Sequence, residues 1–303
     1  MSELLKEWAD LYRKTLLEDV IPFWVKYAVD RETRSINNCI DDSGKVLSKN
    51  KYLWSQGRAL WTFSALYNRI EKKPEWLNIA EGLFGYLSTR GRDNSGKWMF
   101  LLDEQGNVIE GDKSIYVDGF VLNGMCEYFL ATGEPKAAEI ALETYKNTLW
   151  RLQHPGSYGI ETYFIPEGMK THGINMIFSF FYYNLGIALG EKSICETAYD
   201  MAIEILSDFY LPDKDVIVEY VSLEGKPIDS SLGRVCVPGH VLESMWFLIS
   251  IFEHTGDNKL IAECCRLIKR HLELGWDEEY GGITLALDIE GKEPVAWKNP
   301  TCK

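Results

Sequence analysis

The segment CIDDSGKVL, residues 39–47, sets acidic and small polar residues ahead of Gly44 and follows that glycine with an extended apolar stretch. Such a pattern reads as a tight turn between two short extended pieces. It returns as FLLDEQGNVI, YFIPEGMKT, YVSLEGKPI and LALDIEGKEP, centred on Gly106, Gly168, Gly225 and Gly291, so that successive glycines lie 62, 62, 57 and 66 residues apart. Between the turns, apolar residues recur at three- and four-residue steps in about nine segments. These predicted helices begin near residues 3, 53, 75, 115, 135, 173, 194, 239 and 259. Each unit is then a helical hairpin with a small β-hairpin or loop. Such a unit cannot bury its apolar face alone and must stack on its neighbours.

Residues 1–303 are therefore expected to form a single all-α domain of stacked helix pairs. A linear stack would be a solenoid. A stack closed on itself would be an α/α barrel, with inner helices lining a cup and the β-hairpins crowding one rim. Trp54, Trp61, Tyr116, Phe120, Tyr182, Tyr183 and Trp246 fall on helices that follow a turn. Any one of them is more often core than ligand platform, but together they favour the ring with a carbohydrate-type cup. Five units are present and the fifth is incomplete, which amounts to about nine to ten of the twelve helices of a six-pair ring.

Composition narrows the function. With 303 residues, 46% hydrophobic and 13% aromatic content, the chain can bury a large core. A formal charge of -13 and a pI of about 5.0 repel nucleic acid and anionic membranes, leaving a small neutral molecule as the expected partner. The opening MSELLKEWADLYRK is amphipathic and mixed in charge, unlike a signal peptide, and no apolar run reaches bilayer length. A cytoplasmic location is the expectation. The seven cysteines, at 39, 126, 195, 236, 264, 265 and 302, lack the paired spacing of a zinc site or disulfide framework and read as reduced core thiols. No metal or other cofactor is expected, and no phosphate-binding loop marks a nucleotide site.

The chemistry is expected at residues 234–243, RVCVPGHVLE. Pro238 and Gly239 stop what precedes, and His240 enters the first turn of an apolar helix. The positive end of that helix disfavours a protonated imidazole, so His240 is expected to stay neutral and able to accept a proton. Glu243 lies one turn on, and Arg234 just ahead of the turn, so base, carboxylate and cation converge within ten residues.

Taken together, FWVKYAVDRET, KYLWSQGRALWTFSALYN, WLNIAEGLFGYL, YVDGF, INMIFSF, VPGHVLESMWFL and WDEEYGGI resemble, in this order, the N-acylglucosamine 2-epimerase family. The resemblance runs along essentially the whole chain. It implies an (α/α)6 barrel and a reaction at C1 and C2 of a free reducing sugar, without metal or redox cofactor. It implies a sugar 2-epimerase or aldose–ketose isomerase, with N-acylglucosamine and N-acylmannosamine as the expected pair. Inversion at C2 removes a proton alpha to the carbonyl, holds an enediolate and returns a proton on the opposite face. His240 matches the family's histidine and is the expected base. Arg58, in SQGRALW, matches an arginine that contacts the sugar near the reacting carbons, and its planar, permanent charge suits enediolate stabilisation. Trp54, Tyr116 and Asp118 are expected to line the pocket. Glu219 and Arg234 are expected as an orienting acid–base pair. His172 lies just before its helix, where some epimerases carry a further histidine, while Met176 matches the methionine of the acylglucosamine type. Glu243 and Trp246 complete the expected binding set. His154, His254 and His271 read as loop, helix-end and surface residues.

Relatives run on past the position where VAWKNPTCK ends this sequence, and their later histidine supplies the partner base. The expectation is a truncated ring with weak or absent epimerase activity, or a ring closed by pairing as a homodimer. Two other readings stay open. One is an α/α-barrel glycoside hydrolase using carboxylates such as Asp118 with Glu219 or Glu243. The other is a non-catalytic sugar- or protein-binding role.

Overall fold

The computed structural model describes residues 3–292, so Cys302 and the segment VAWKNPTCK lie outside the described residues. Contacts along the chain group into two compact units, Met1–Tyr158 and Gly159–Lys303. The first holds α1 (Glu3–Thr15), a wide turn at Leu16–Val20, α2 (Ile21–Tyr27) and five short strands: β1 (Val29–Asp30), β2 (Ser35–Ile36), β3 (Cys39–Ile40), β4 (Val46–Ser48) and β5 (Lys51–Tyr52). There follow α3 (Leu53–Ala65), α4 (Pro74–Arg90), β6 (Leu101–Leu102), β7 (Val108–Glu110), α5 (Ile115–Thr132) and α6 (Pro135–Leu152). The second unit begins with β8 (Met169–Thr171), α7 (His172–Leu189), α8 (Lys192–Glu204), β9 (Tyr210–Leu211), β10 (Val216–Ile217) and β11 (Tyr220–Ser222). It continues with β12 (Val235–Cys236), α9 (Pro238–Thr255), α10 (Asn258–Gly275) and β13 (Leu287–Asp288).

Every expected helix start falls within two residues of an observed one. The turns form by the chemistry their residues predict. Asp41 Oδ1 accepts from the Ser43 and Lys45 N–H groups at 3.0 and 2.9 Å, and Asp103 Oδ1 does the same for Gln105 and Asn107 at 2.9 and 2.7 Å. The glycine that follows takes a left-handed conformation, with φ of 85° at Gly44 and 88° at Gly106, closed to most side chains. β3 thus pairs with β4, and β6 with β7. A further copy that the repeat count left out, DNSGK at 93–97, uses Asp93 in the same way. The Gly168 copy departs from the expectation of a self-contained turn motif. The strand behind it, β8, pairs with β11, just ahead of Gly225, so two successive repeats share one sheet.

In the first unit, α3 makes its most extensive contact with α5. The motif Ser55-Gln56-Gly57-Arg58 explains how. Gln56 is fully buried, and its amide closes a double hydrogen bond with the backbone of Ile36, at 2.9 and 3.0 Å, tying α3 to β2. Gly57 faces the α5 backbone: a Cβ there would lie 2.8 Å from the Phe120 carbonyl carbon, and one on Gly124 would lie 2.5 Å from Gly57 O. Backbones this close leave no room for a methyl group. In the second unit, α7 packs against both α8 and α9, and α9 against α10, around Phe178, Tyr182, Met245, Leu248 and Phe252, all essentially inaccessible.

Replacing Gly124 by alanine forces α3 and α5 apart and is expected to cost about 1–3 kcal/mol, read as a lowered urea midpoint. A midpoint equal to that of the unmodified chain would show that the two backbones have slack the structure does not display.

Candidate active site

Glu219 sits immediately ahead of β11 and is 5% exposed. Its backbone is held on both sides: its N–H donates to Val235 O and its carbonyl accepts from His172 N, each at 2.8 Å. Its side chain is held as well. Oε1 accepts from the Thr171 hydroxyl at 2.7 Å and from the Gly173 N–H, in the first turn of α7, at 3.2 Å. Oε2 lies 2.9 Å from His240 Nδ1. Burial pushes the Glu219 pKa up, but the charge and hydrogen bond of His240, the His172 ring and the Thr171 hydroxyl outweigh it and hold the carboxyl down at about 2.

His240 is the third residue of α9, behind Pro238, and its side chain is 41% exposed. The helix terminus is not what governs its protonation. Burial does favour the neutral ring, but the charge and hydrogen bond of Glu219, with exposed Glu243 adding to them, raise its pKa above the ordinary value. A direct contact with a full charge outweighs the partial charge of a helix end.

The remaining sequence candidates sort by burial and partner. Arg234 does not pair with Glu219. Its Nε turns instead to Asp288, 3.2 and 3.3 Å from the two carboxylate oxygens, and to Glu290 at 3.7 Å, a pairing aided by the β12–β13 ladder. The cation expected beside His240 is thus committed elsewhere. His172 is the first residue of α7 rather than a residue ahead of it, and it is 1% exposed. Neither ring nitrogen has a hydrogen-bond partner among the described residues, and Nδ1 stands 3.9 Å from Glu219. Burial drives its pKa down to about 4 against the pull of Glu219. As arranged, it is a buried neutral ring beside Phe209. Met176, 3% exposed, is likewise core, not pocket lining. His271 is not a surface residue: fully buried, it accepts from Ile217 N at Nε2 and lies 2.8 Å from Leu267 O at Nδ1, fastening α10 to β10.

In the first unit, Asp118 is buried completely and paired with Arg151 at 3.1 Å, which also holds Asp112 at 3.0 Å. Burial pushes its pKa up to about 7 despite the arginine. Asp118 is therefore a strut between α5 and α6, not a wall of a pocket or an exposed carboxylate for hydrolysis. Tyr116 and Trp54 are half-buried, and Trp54 meets Phe120 edge-on at 6.3 Å. Arg58 is exposed and has no ion pair among the described residues. Its guanidinium lies 4.2 Å from the centre of the Phe120 ring, a cation–π contact that leaves its donors open. Trp246 is 57% exposed, two turns beyond His240, against Phe180 and Phe247. Thr171 and the Gly173 N–H escaped the sequence reading, since only the β8–β11 register brings them to Glu219.

The model of the family described as N-acylglucosamine 2-epimerase matches residues 36–300. The chain belongs to the N-acylglucosamine 2-epimerase family. Membership makes it an enzyme of the isomerase class. It is similar to the N-acylglucosamine 2-epimerase of Bos taurus, 27% identical over 301 residues that cover 97% of this chain and 71% of that one. It is also similar to the cellobiose 2-epimerase of Dictyoglomus turgidum, 26% identical over 270 residues, 80% of this chain and 65% of that one. The solved structure of the cellobiose 2-epimerase from Bacillus thermoamylovorans superposes with a TM-score of 0.82 at 18% identity, covering 95% of this chain and 77% of that chain. That likeness shows a shared fold, the α/α-barrel class expected from the repeat. No helix among the described residues is long and apolar enough to cross a membrane.

The buried, neutral His172 makes stability depend on pH. Its folded pKa, about 4, lies below the ordinary 6.5, so between these values the unfolded chain binds a proton that the folded chain refuses. Stability is expected to be intact above pH 6.5 and to fall as the pH drops toward about 4, by at most roughly 3 kcal/mol from this residue. His172→Phe should flatten that slope in denaturation midpoints measured across the window. Parallel slopes for the two proteins would refute the assignment.

Proposed function

We propose that the chain interconverts the C2 epimers of a free N-acylated hexosamine, N-acylglucosamine and N-acylmannosamine, with His240 as a proton-transferring base. The observation that carries this reading is the half-exposed imidazole of His240 in the first turn of α9, backed by the buried, ionised Glu219. The choice of an N-acylated sugar is supported by the reach of the relatives. Those named N-acylglucosamine 2-epimerase match 97% of this chain, and the cellobiose 2-epimerase above matches 80%.

The C2 proton of the open-chain sugar is acidic because it lies next to the C1 aldehyde. His240 takes it through Nε2, the C2–H electron pair becomes the C1–C2 double bond, and the negative charge moves to O1. The product is the enolate of the N-acylated sugar, the counterpart of the enediolate of an unsubstituted hexose. A guanidinium stabilises that oxyanion well because it is always charged and offers several donors. Arg58 is proposed for this role, supported by its exposed guanidinium, which no carboxylate among the described residues neutralises. Return of a proton to the opposite face of C2 inverts the centre. Return to the same face restores the starting sugar with a solvent proton in place.

Incubation with N-acetylmannosamine in D2O is expected to place deuterium at C2, and His240→Gln to slow that exchange by a factor of about 100 or more. Absence of C2 deuterium from N-acetylmannosamine, glucose, mannose and cellobiose alike would defeat the reading. Because the base works unprotonated and Glu219 raises its pKa, kcat/KM should climb as pH rises through values above 6.5. Arg58→Ala should lower kcat/KM for exchange by about 100-fold or more while leaving the His240 titration in place.

A further inference from the structure

We propose that Glu219 is a positioning residue, which holds the Nδ1–H of His240 from behind so that the bare Nε2 is presented outward as the proton acceptor. The inference rests on the epimerase reading for its purpose, but its physical content stands on geometry of its own. An ionised carboxylate can only accept hydrogen bonds, so a ring nitrogen 2.9 Å from Oε2 must carry the hydrogen. A neutral imidazole has one N–H, and spending it at Nδ1 leaves the lone pair on Nε2. The exposures fit that arrangement: the Glu219 side chain is 6% accessible and the His240 side chain 41%, so the carboxylate lies behind and the ring in front.

Glu219 is also too firmly anchored to follow the ring. Oε1 is taken by Thr171 and by the start of α7, and the backbone groups are taken by Val235 and His172. Pro238, at the first position of α9, has no N–H to compete for the carboxylate. The ring is therefore aimed by two helix starts, that of α7 through the carboxylate and that of α9 through its own backbone. Other titratable groups face the pair. Among the described residues, Cys236 on β12 feels the Glu219 charge, and burial together with that charge pushes its thiol up to about 12, so it stays neutral. His172, from α7, stays neutral in its buried site 3.9 Å from Oε2 and leaves the carboxylate's charge to His240. Glu243, on the next turn of α9, adds negative charge from the exposed side. His271, on α10, lies by His172 rather than by the pair, and is bonded to backbone at both nitrogens.

Nitrogen-15 NMR of the histidine rings in the full chain tests this without substrate, with the His240 signal assigned by its loss in His240→Gln. The expected result is a neutral His240 protonated at Nδ1, with a pKa above 6.5 that falls in Glu219→Gln. An Nε2–H tautomer in the unsubstituted chain, or a His240 titration that Glu219→Gln leaves unmoved, would overturn the proposal. The first of these measurements decides the matter even where the variant fails to fold. In the exchange assay, Glu219→Gln should lower kcat by about 10–100-fold with KM little changed and shift the acid limb of the pH profile downward, while Glu219→Asp restores part of the rate. A purely structural carboxylate would lower the amount of active protein and leave the pH limb in place. Correct tautomer and pKa with no C2 exchange from any sugar would sink the epimerase reading and leave the positioning intact.

Discussion

A charged carboxylate in a protein interior persists only where donors meet it on several sides, and Glu219 imposes that demand on the second unit. Thr171, the start of α7 and His240 all answer it. Since Thr171 ends β8 and His240 lies in the first turn of α9, one buried charge locks a strand and two helices into a common register. The strand pairing supplies the complementary half of the constraint, because Tyr220 opposite Thr171 places Glu219 at the mouth of α7.

The first unit meets its own constraint by steric means. Gly57 and Gly124 let the α3 and α5 backbones come closer than any side chain allows, and Gln56 beside them fastens α3 to β2. Its buried cations, Arg151 and Lys51, lie 3.1 and 2.9 Å from Asp118 and Asp30. Removing one partner of such a pair leaves an uncompensated charge, so these residues are committed to structure. The neighbouring Arg58 is exposed and free of carboxylates among the described residues, its guanidinium over the Phe120 ring.

Burial and partners are what separate residues that look alike in the sequence. His240, His172 and His271 all lie in helices of the second unit, yet one is half-exposed with a carboxylate behind it, one is sealed with no hydrogen bond to its ring among the described residues, and one is bonded to backbone at both ring nitrogens. Likewise Arg234 and Arg58 look equally available in the sequence, but Arg234 is held by Asp288, 54 positions away. Such pairings depend on which strands meet, and the local sequence around Arg234 carries no trace of the choice.

The amino-acid order alone determined the helix starts, through periodicity and stop signals acting over a few residues, and the turns, through an aspartate that caps two N–H groups ahead of a left-handed glycine. It also marked His240 at a helix start and Arg58 in the second turn of another, and it carried the family likeness. Only the tertiary structure decided that β8 pairs with β11, that Glu219 and not Arg234 stands by His240, and that His172, Met176 and Asp118 are sealed away. The physical reason is range: capping and periodicity are local energies, whereas the partners of a buried charge and the protonation of a buried ring depend on whatever the fold brings from far along the chain.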